Sequence, residues 1–110
     1  MKQMSVTFKD FERLDIRVAK LVAVESIPGM KKIMKAKVDL GDRTAHAILG
    51  GAEYYKPSDL EGKLVAVVAN MESRTVAGVK SECMLLAADD HGRPIWITLP
   101  ENVPLGTKIR

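Results

Sequence analysis

The chain has 110 residues, 46% of them hydrophobic and 28% charged, the balance of an ordinary globular chain with room for one core rather than two. No apolar run approaches the ~20 residues that span a bilayer, and Cys83, the only cysteine, excludes an intrachain disulfide. The net charge of +3 is compatible with a polyanionic partner but does not by itself require one.

In chain order, the opening stretch MKQMSVTFKDFERLD has no apolar segment of the kind a secretory leader carries, so a cytoplasmic location is expected. Within it, Thr7 and Asp10 stand at capping-box spacing, which predicts one helical turn over VTFKDFERL. Residues 15–26, DIRVAKLVAVES, form a long β-branched run bounded by Pro28-Gly29. The next strand alternates cleanly: Met34, Ala36, Val38 and Leu40 share one face, and Lys35, Lys37 and Asp39 the other. Gly41-Asp42 closes a tight turn into RTAHAILGG, the second arm of a hairpin. AEYYKPSDLEG breaks the alternation and predicts a short helix restarted at Pro57 and stopped at Gly62. KLVAVVAN is apolar on both faces and belongs in the middle of a sheet. After a loop, CMLLAA reads as a buried strand, and RPIWITL as the last one.

Five or more short strands, one small helix between the third and fourth, and no repeated βαβ spacing predict an all-β five-stranded barrel of the OB-fold pattern over residues 1–110, as one domain. A β-sandwich competes less well, because seven regular strands are hard to find.

Catalysis is poorly supported. His46 and His91 sit apart, and there is no HxH, HExxH or CxxC, so neither a metal nor another cofactor is expected. His46 is read as pointing outward from its strand, and His91 as part of the turn DDHGRP. Cys83 has Glu82 beside it and an apolar stretch after it, both of which raise a thiol's pKa, so it reads as core rather than nucleophile. No nucleophile, base and orienter assemble, and a non-enzymatic protein is expected.

The basic residues say more. Lys31, Lys32, Lys35 and Lys37 fall within PGMKKIMKAK with no acidic residue among them. Such a cluster attracts phosphates through counterion release; it equally suits a solvated strand edge protected from pairing with another sheet. Aromatic residues are only 5% of the chain, which favours a folded RNA read by shape and backbone over a single strand stacked on rings.

FERLDIRVAKLVAVESIPGMKK, YYKPSDLEGKLVAVVANMESRTVAGVKSECMLLAAD and PENVPLGTKI, in that order and within a match that runs from Phe8 to Ile109, resemble the tRNA-binding domain family. Its members include free-standing tRNA-binding proteins, the C-terminal appendage of methionyl-tRNA synthetases and the export-related chaperone CsaA, and AGVKSE with the short length is most similar to the CsaA type. The resemblance implies an OB barrel, no catalytic residues, and a homodimer paired through N- and C-terminal extensions. It also implies that Asn70, Ser81 and Met84 line the side of the barrel where tRNA docks. With them, Lys31, Lys32, Lys35, Arg74 and Lys80 complete the expected RNA-binding set. Each of the three matched residues has a plainer reading too: Asn70 as a strand-end turn, Ser81 as a backbone cap, Met84 as core. The chain departs from the family's usual loop by carrying Ile27-Pro28-Gly29-Met30-Lys31-Lys32, and from its usual Asn-x-Lys-Pro by NMESRTVAG, which leaves Arg74 as the cation. The implied ligands are tRNA or another structured RNA and unfolded export precursors, without membrane insertion. The alternative role is a stand-alone accessory (beta) subunit that supplies tRNA affinity to methionyl-tRNA synthetase.

Overall fold

The computed structural model describes residues 4–110, so the first three residues of the opening stretch lie outside the described part. The elements run α1 (Phe8–Glu12), β1 (Ile16–Ser26), β2 (Ile33–Asp39), β3 (Thr44–Gly50), α2 (Pro57–Leu60), β4 (Leu64–Val68), β5 (Arg74–Val76), β6 (Val79–Ser81), β7 (Met84–Leu85), β8 (Ala87–Asp90) and β9 (Arg93–Trp96). Five of them make an antiparallel sheet in the order β3-β2-β1-β4-β7. The sheet curls until β7 approaches β3, giving a nearly closed barrel with α2 between β3 and β4, the order of an OB fold.

The length of β1 makes the curl possible. Its first half pairs with β4, from Ile16 opposite Val68 to Lys20 opposite Leu64, and its second half pairs with β2. A bulge between Leu21 and Ala23 bends the strand where it changes partner and leaves Val22 exposed. β2 and β3 form the expected hairpin in unbroken register, closed by the hydrogen bond from Leu40 N to Arg43 O at 2.9 Å. The alternation holds: Met34, Ala36, Val38 and Leu40 are buried, while Lys37 is exposed. They meet Leu21, Leu49, Val65 and Val67 inside the barrel, and β4 is buried along its whole length.

Both predicted helices form. Thr7 Oγ1 accepts from Asp10 N at 3.1 Å and caps α1. Asp59 Oδ2 accepts from Lys56 N at 2.8 Å at the start of α2, Pro57 opens it, and Gly62 at φ +88° ends it.

Two expectations at the C-terminal half are corrected. CMLLAA is not one buried strand: it breaks at Leu86 into β7, which belongs to the barrel, and β8, which pairs with β9 in a separate hairpin. Leu86 is the pivot, donating its N–H to Ala66 O at 2.9 Å and accepting from Ile97 N at 3.1 Å. RPIWITL likewise divides. Arg93–Trp96 serve β8, whereas residues 97–99 lie along β4, with Thr98 opposite Val65 and Leu99 N bonded to Leu64 O at 3.0 Å. A loop was expected between β4 and β7; it contains the β5–β6 hairpin, turned at Ala77 and Gly78, both at positive φ.

The chain ends meet on one side. Residues 106–109 pair with the start of β1 through Gly106 N to Val18 O, Val18 N to Thr107 O and Ile109 N to Ile16 O, at 2.8–2.9 Å. The sequence Leu-Asp-Ile-Arg is explained here. The Arg17 guanidinium grips both oxygens of Asp15 at 2.9–3.0 Å and reaches Asp42 at 3.2 Å, and Lys108 Nζ reaches Asp15 at 3.2 Å. The pair thus ties β1 to the β2–β3 turn and to the C-terminal segment, and the guanidinium holds the Asp15 carboxyl below its usual value.

Candidate nucleic-acid interface

In a period-2 strand alternate N–H and C=O groups point to each side. On β3, those of His46 and Ile48 face away from β2, toward the gap that remains in the barrel. The Ser81-Glu82-Cys83 segment fills that gap. Glu82 N donates to His46 O at 2.9 Å, His46 N donates to Glu82 Oε1 at 3.4 Å, and Ile48 N donates to Ser81 Oγ at 3.3 Å. Cys83 Sγ lies 3.9 Å from His46 O. The polar collar before β7 is therefore what caps the free edge of β3, and it plants the β5–β6 hairpin across the outside of the barrel. Cys83 itself is buried, and burial first, with Glu82 adding and Arg43 opposing, pushes its thiol up to about 11.

The hairpin separates two grooves. One, of about 410 Å³, is floored by Ile48, Met71 and Met84 and rimmed by Glu72, Ser73, Arg74 and Ser81. Three of the expected site residues, Arg74, Ser81 and Met84, meet there. Met84 is 45% exposed, so it is not core; Ser81 is half-buried, its hydroxyl engaged with Ile48 N and Cys83 O. The other groove, of about 360 Å³, lies on the outer face of β1, β2 and β3 under the hairpin tip. Lys35 and Lys80 meet there with Lys37 and His46; Lys35 Nζ is 3.5 Å from Glu25.

The remaining expected residues sit elsewhere. Lys31 and Lys32 are exposed on the β1–β2 loop and line neither groove, although Lys32 O accepts from Ala52 N at 3.2 Å and so anchors the loop. Asn70, at the end of β4, faces the α1–β1 connection: its Oδ1 accepts from Asp15 N at 2.9 Å and its Nδ2 donates to Arg13 O at 2.8 Å.

Among the groove residues absent from the expected site set are Met71, Ile48, Lys37 and His46. For His46 a signal was available. Counting outward from the Gly41-Asp42 turn sets Lys37 opposite His46, which is the register found. Met71 and Ile48 gave none, because their exposure depends on where the hairpin lies.

At the other end, Phe8, Phe11 and Leu14 line a cavity of about 280 Å³ with Lys108, Ile109 and Arg110. Phe8 is 72% exposed. Among the described residues no group of three His, Cys, Asp or Glu side chains is placed to hold a metal ion, and no helix is long and apolar enough to cross a membrane.

The chain is thus a small OB barrel with two grooves on its outer face, one of them lined by Lys35, Lys37 and Lys80. The family described as "Putative tRNA binding domain" matches residues 16–108, and the chain belongs to the tRNA-binding domain family. It is 43% identical over 109 residues to the methionine--tRNA ligase of Pyrococcus abyssi, covering 99% of this chain but 15% of that enzyme. The chain therefore spans a small part of the length of the curated relatives it matches. Among solved structures, a MetRS-related protein from Pyrococcus horikoshii superposes with a TM-score of 0.94 at 29% identity, covering 98% of this chain and all of that one. The chaperone CsaA from Bacillus anthracis superposes with a TM-score of 0.86 at 28% identity, covering 97% of this chain and all of that one.

Proposed function

We propose that the protein is a non-catalytic RNA-binding protein that holds tRNA on the hairpin side of its barrel. The observation that carries the reading is that one hairpin brings Arg74, Ser81 and Met84 into one groove and sets Lys80 beside Lys35 in the other. In an OB fold this is the binding side: the outer face of the second and third strands, flanked by the loops after the first and fourth. Here those loops are residues 27–32, with Lys31 and Lys32, and residues 69–83, with Arg74 and Lys80. The cations supply affinity through counterion release, and Met71 and Met84 offer polarisable surface to a base or ribose. With both grooves on one side, a folded RNA is a better fit than a short peptide.

Family membership supports the same ligand, and the similarity to a MetRS-related protein supports delivery of tRNA affinity to a synthetase as its use. The similarity to CsaA supports a second reading, chaperone-like binding of unfolded export precursors in the cytoplasm. Its specific support is the floor of Ile48, Met71 and Met84, which suits an apolar side chain as well as a base. Two copies paired through the chain ends would present two such faces to one ligand.

The test is a salt titration of tRNA binding by the wild type and by Lys31→Glu with Lys32→Glu. The double variant is expected to bind more weakly and to lose roughly one unit of salt slope per phosphate contact removed. An unchanged slope places the phosphates elsewhere, and tighter binding of an unfolded polypeptide than of tRNA favours the chaperone reading.

A further inference from the structure

His46 stands on the floor of the groove beneath the hairpin tip, and the groups around it come from every element packed there. β2 contributes Lys35 and Lys37, the hairpin contributes Lys80, β1 contributes Glu25, and Glu82 approaches from the segment that closes the barrel. The two carboxylates are engaged: Glu25 with Lys35 at 3.5 Å, and Glu82 with the backbone N–H of His46 at 3.4 Å. Three lysines therefore face one imidazole in a space lined otherwise by Val79 and the small residues Ala23, Ala36 and Gly78. On the Gly78 side the groove is open, since a Cβ built there would meet nothing within 4 Å.

Lys37 and His46 are direct cross-strand partners. A phosphate seated between them would meet both side chains and would favour a proton on His46, since a nearby opposite charge favours the charged form. We propose that this groove is a track for the RNA phosphodiester backbone in which His46 takes up a proton as the phosphate docks. The proposal rests on the RNA-binding reading and adds a determinant to it. Affinity then rises as the pH falls through the range in which imidazoles gain a proton, about 8 to 6. The sign follows from linkage: a ligand that binds the protonated form better is bound more tightly where protons are more available. The uptake is local, because His91 lies in the β8–β9 turn, outside the groove.

The experiment measures binding of unfractionated tRNA at pH 8 and pH 6 and fixed ionic strength, by the wild type and by His46→Gln. The variant keeps the backbone bonds to Glu82 and Ser81, because they use the main chain of His46 and Ile48. The wild type is expected to gain about two- to fivefold in affinity at pH 6, the size of one exposed charge pair, beyond any gain shown by His46→Gln. An equal gain in both proteins overturns the proposal. Proton resonances of the two histidine rings, followed against pH with and without inorganic pyrophosphate, separate this outcome from failure of the RNA reading. An upward displacement of the His46 titration alone, with His91 as the internal reference, supports the phosphate track even where tRNA fails to bind. No displacement of His46 by either ligand sinks it.

Discussion

Asn70 and Asp15, 55 positions apart, are joined by a hydrogen bond from Asp15 N to Asn70 Oδ1 at 2.9 Å, while the other end of the same amide donates to Arg13 O at 2.8 Å. One side chain at the end of β4 thereby fixes the chain where it leaves α1 and enters β1. Asn70→Ala removes both hydrogen bonds, which are open to water, and is expected to destabilise the protein by about 0.5–1.5 kcal/mol. Urea unfolding checks the number. Measuring tRNA affinity on the same variant, at a temperature where it is folded, reports whether Asn70 also touches RNA: an undiminished affinity makes it purely structural.

Asp15 gives a pH dependence with a definite sign. Its carboxyl is held below the usual value by the Arg17 guanidinium first, with Lys108 assisting, against the opposing effect of burial. The stabilisation is complete above the unfolded value near 3.9 and is lost as the pH falls through the lower folded value. Asp15→Asn is expected to cost about 1 kcal/mol at neutral pH, modest because the cluster is partly open to water. The difference between variant and wild type should shrink in thermal melts as the pH falls below about 4. A constant difference across that range would mean that packing, not charge, is responsible.

Gly106 and Gly41 approach each other's backbone so closely that neither admits a side chain. A Cβ on Gly106 would lie 2.7 Å from Leu40 O, and one on Gly41 would lie 2.8 Å from Leu105 O, with both glycines at positive φ. Gly62 has a similar φ but open space around it. Gly62→Ala should therefore cost only the conformational strain, about 1 kcal/mol, and Gly106→Ala distinctly more. Equal melting temperatures for the two variants would refute the close contact.

Met84→Ala separates binding from stability. At 45% exposure the side chain contributes little to the core, so unfolding should change by less than about 1 kcal/mol, against the ~2–5 expected for a buried methionine. Affinity for tRNA is expected to fall several-fold. A stability loss with unchanged affinity would remove Met84 from the site.

The exposed N-terminal aromatics bear on assembly. Phe8, Phe11 and Leu14 form an apolar surface beside the C-terminal residues, and a two-fold partner would bury it. Light scattering is expected to give a dimer for the wild type and a monomer for Phe8→Asp. Truncation at residue 100 is a poorer test, since residues 106–109 are hydrogen-bonded to β1 and their loss would unsettle the barrel itself. A monomeric wild type would show that the ends serve only their own barrel.

The first four barrel strands, their order along the chain, the inward face of β2 and the double-sided burial of β4 were legible in the sequence, because period-2 burial and glycine turns are local properties. So was the single capped turn at Thr7, and so was the inert character of Cys83. The β5–β6 hairpin, expected as a loop, was not legible, and neither was the break at Leu86. An apolar run carries no mark of which residue will bond to β4 and which will leave for a second hairpin; that is decided by the backbone groups of Ala66 and Ile97. The site was legible as residue types rather than as places. Lysines, Ser81 and Met84 could be named from pattern and resemblance, but one hairpin lying across the barrel sets Arg74, Ser81 and Met84 with Met71 in one groove and Lys35 and Lys80 with His46 in another, while Lys31 and Lys32 line neither and Asn70 faces Asp15. Sequence fixes what each side chain can donate, accept or bury within its own strand. Which side chains share a groove depends on how the barrel closes, and here that depends on the unpaired edge of β3 finding its partners 33 and 36 residues downstream, at Ser81 and Glu82.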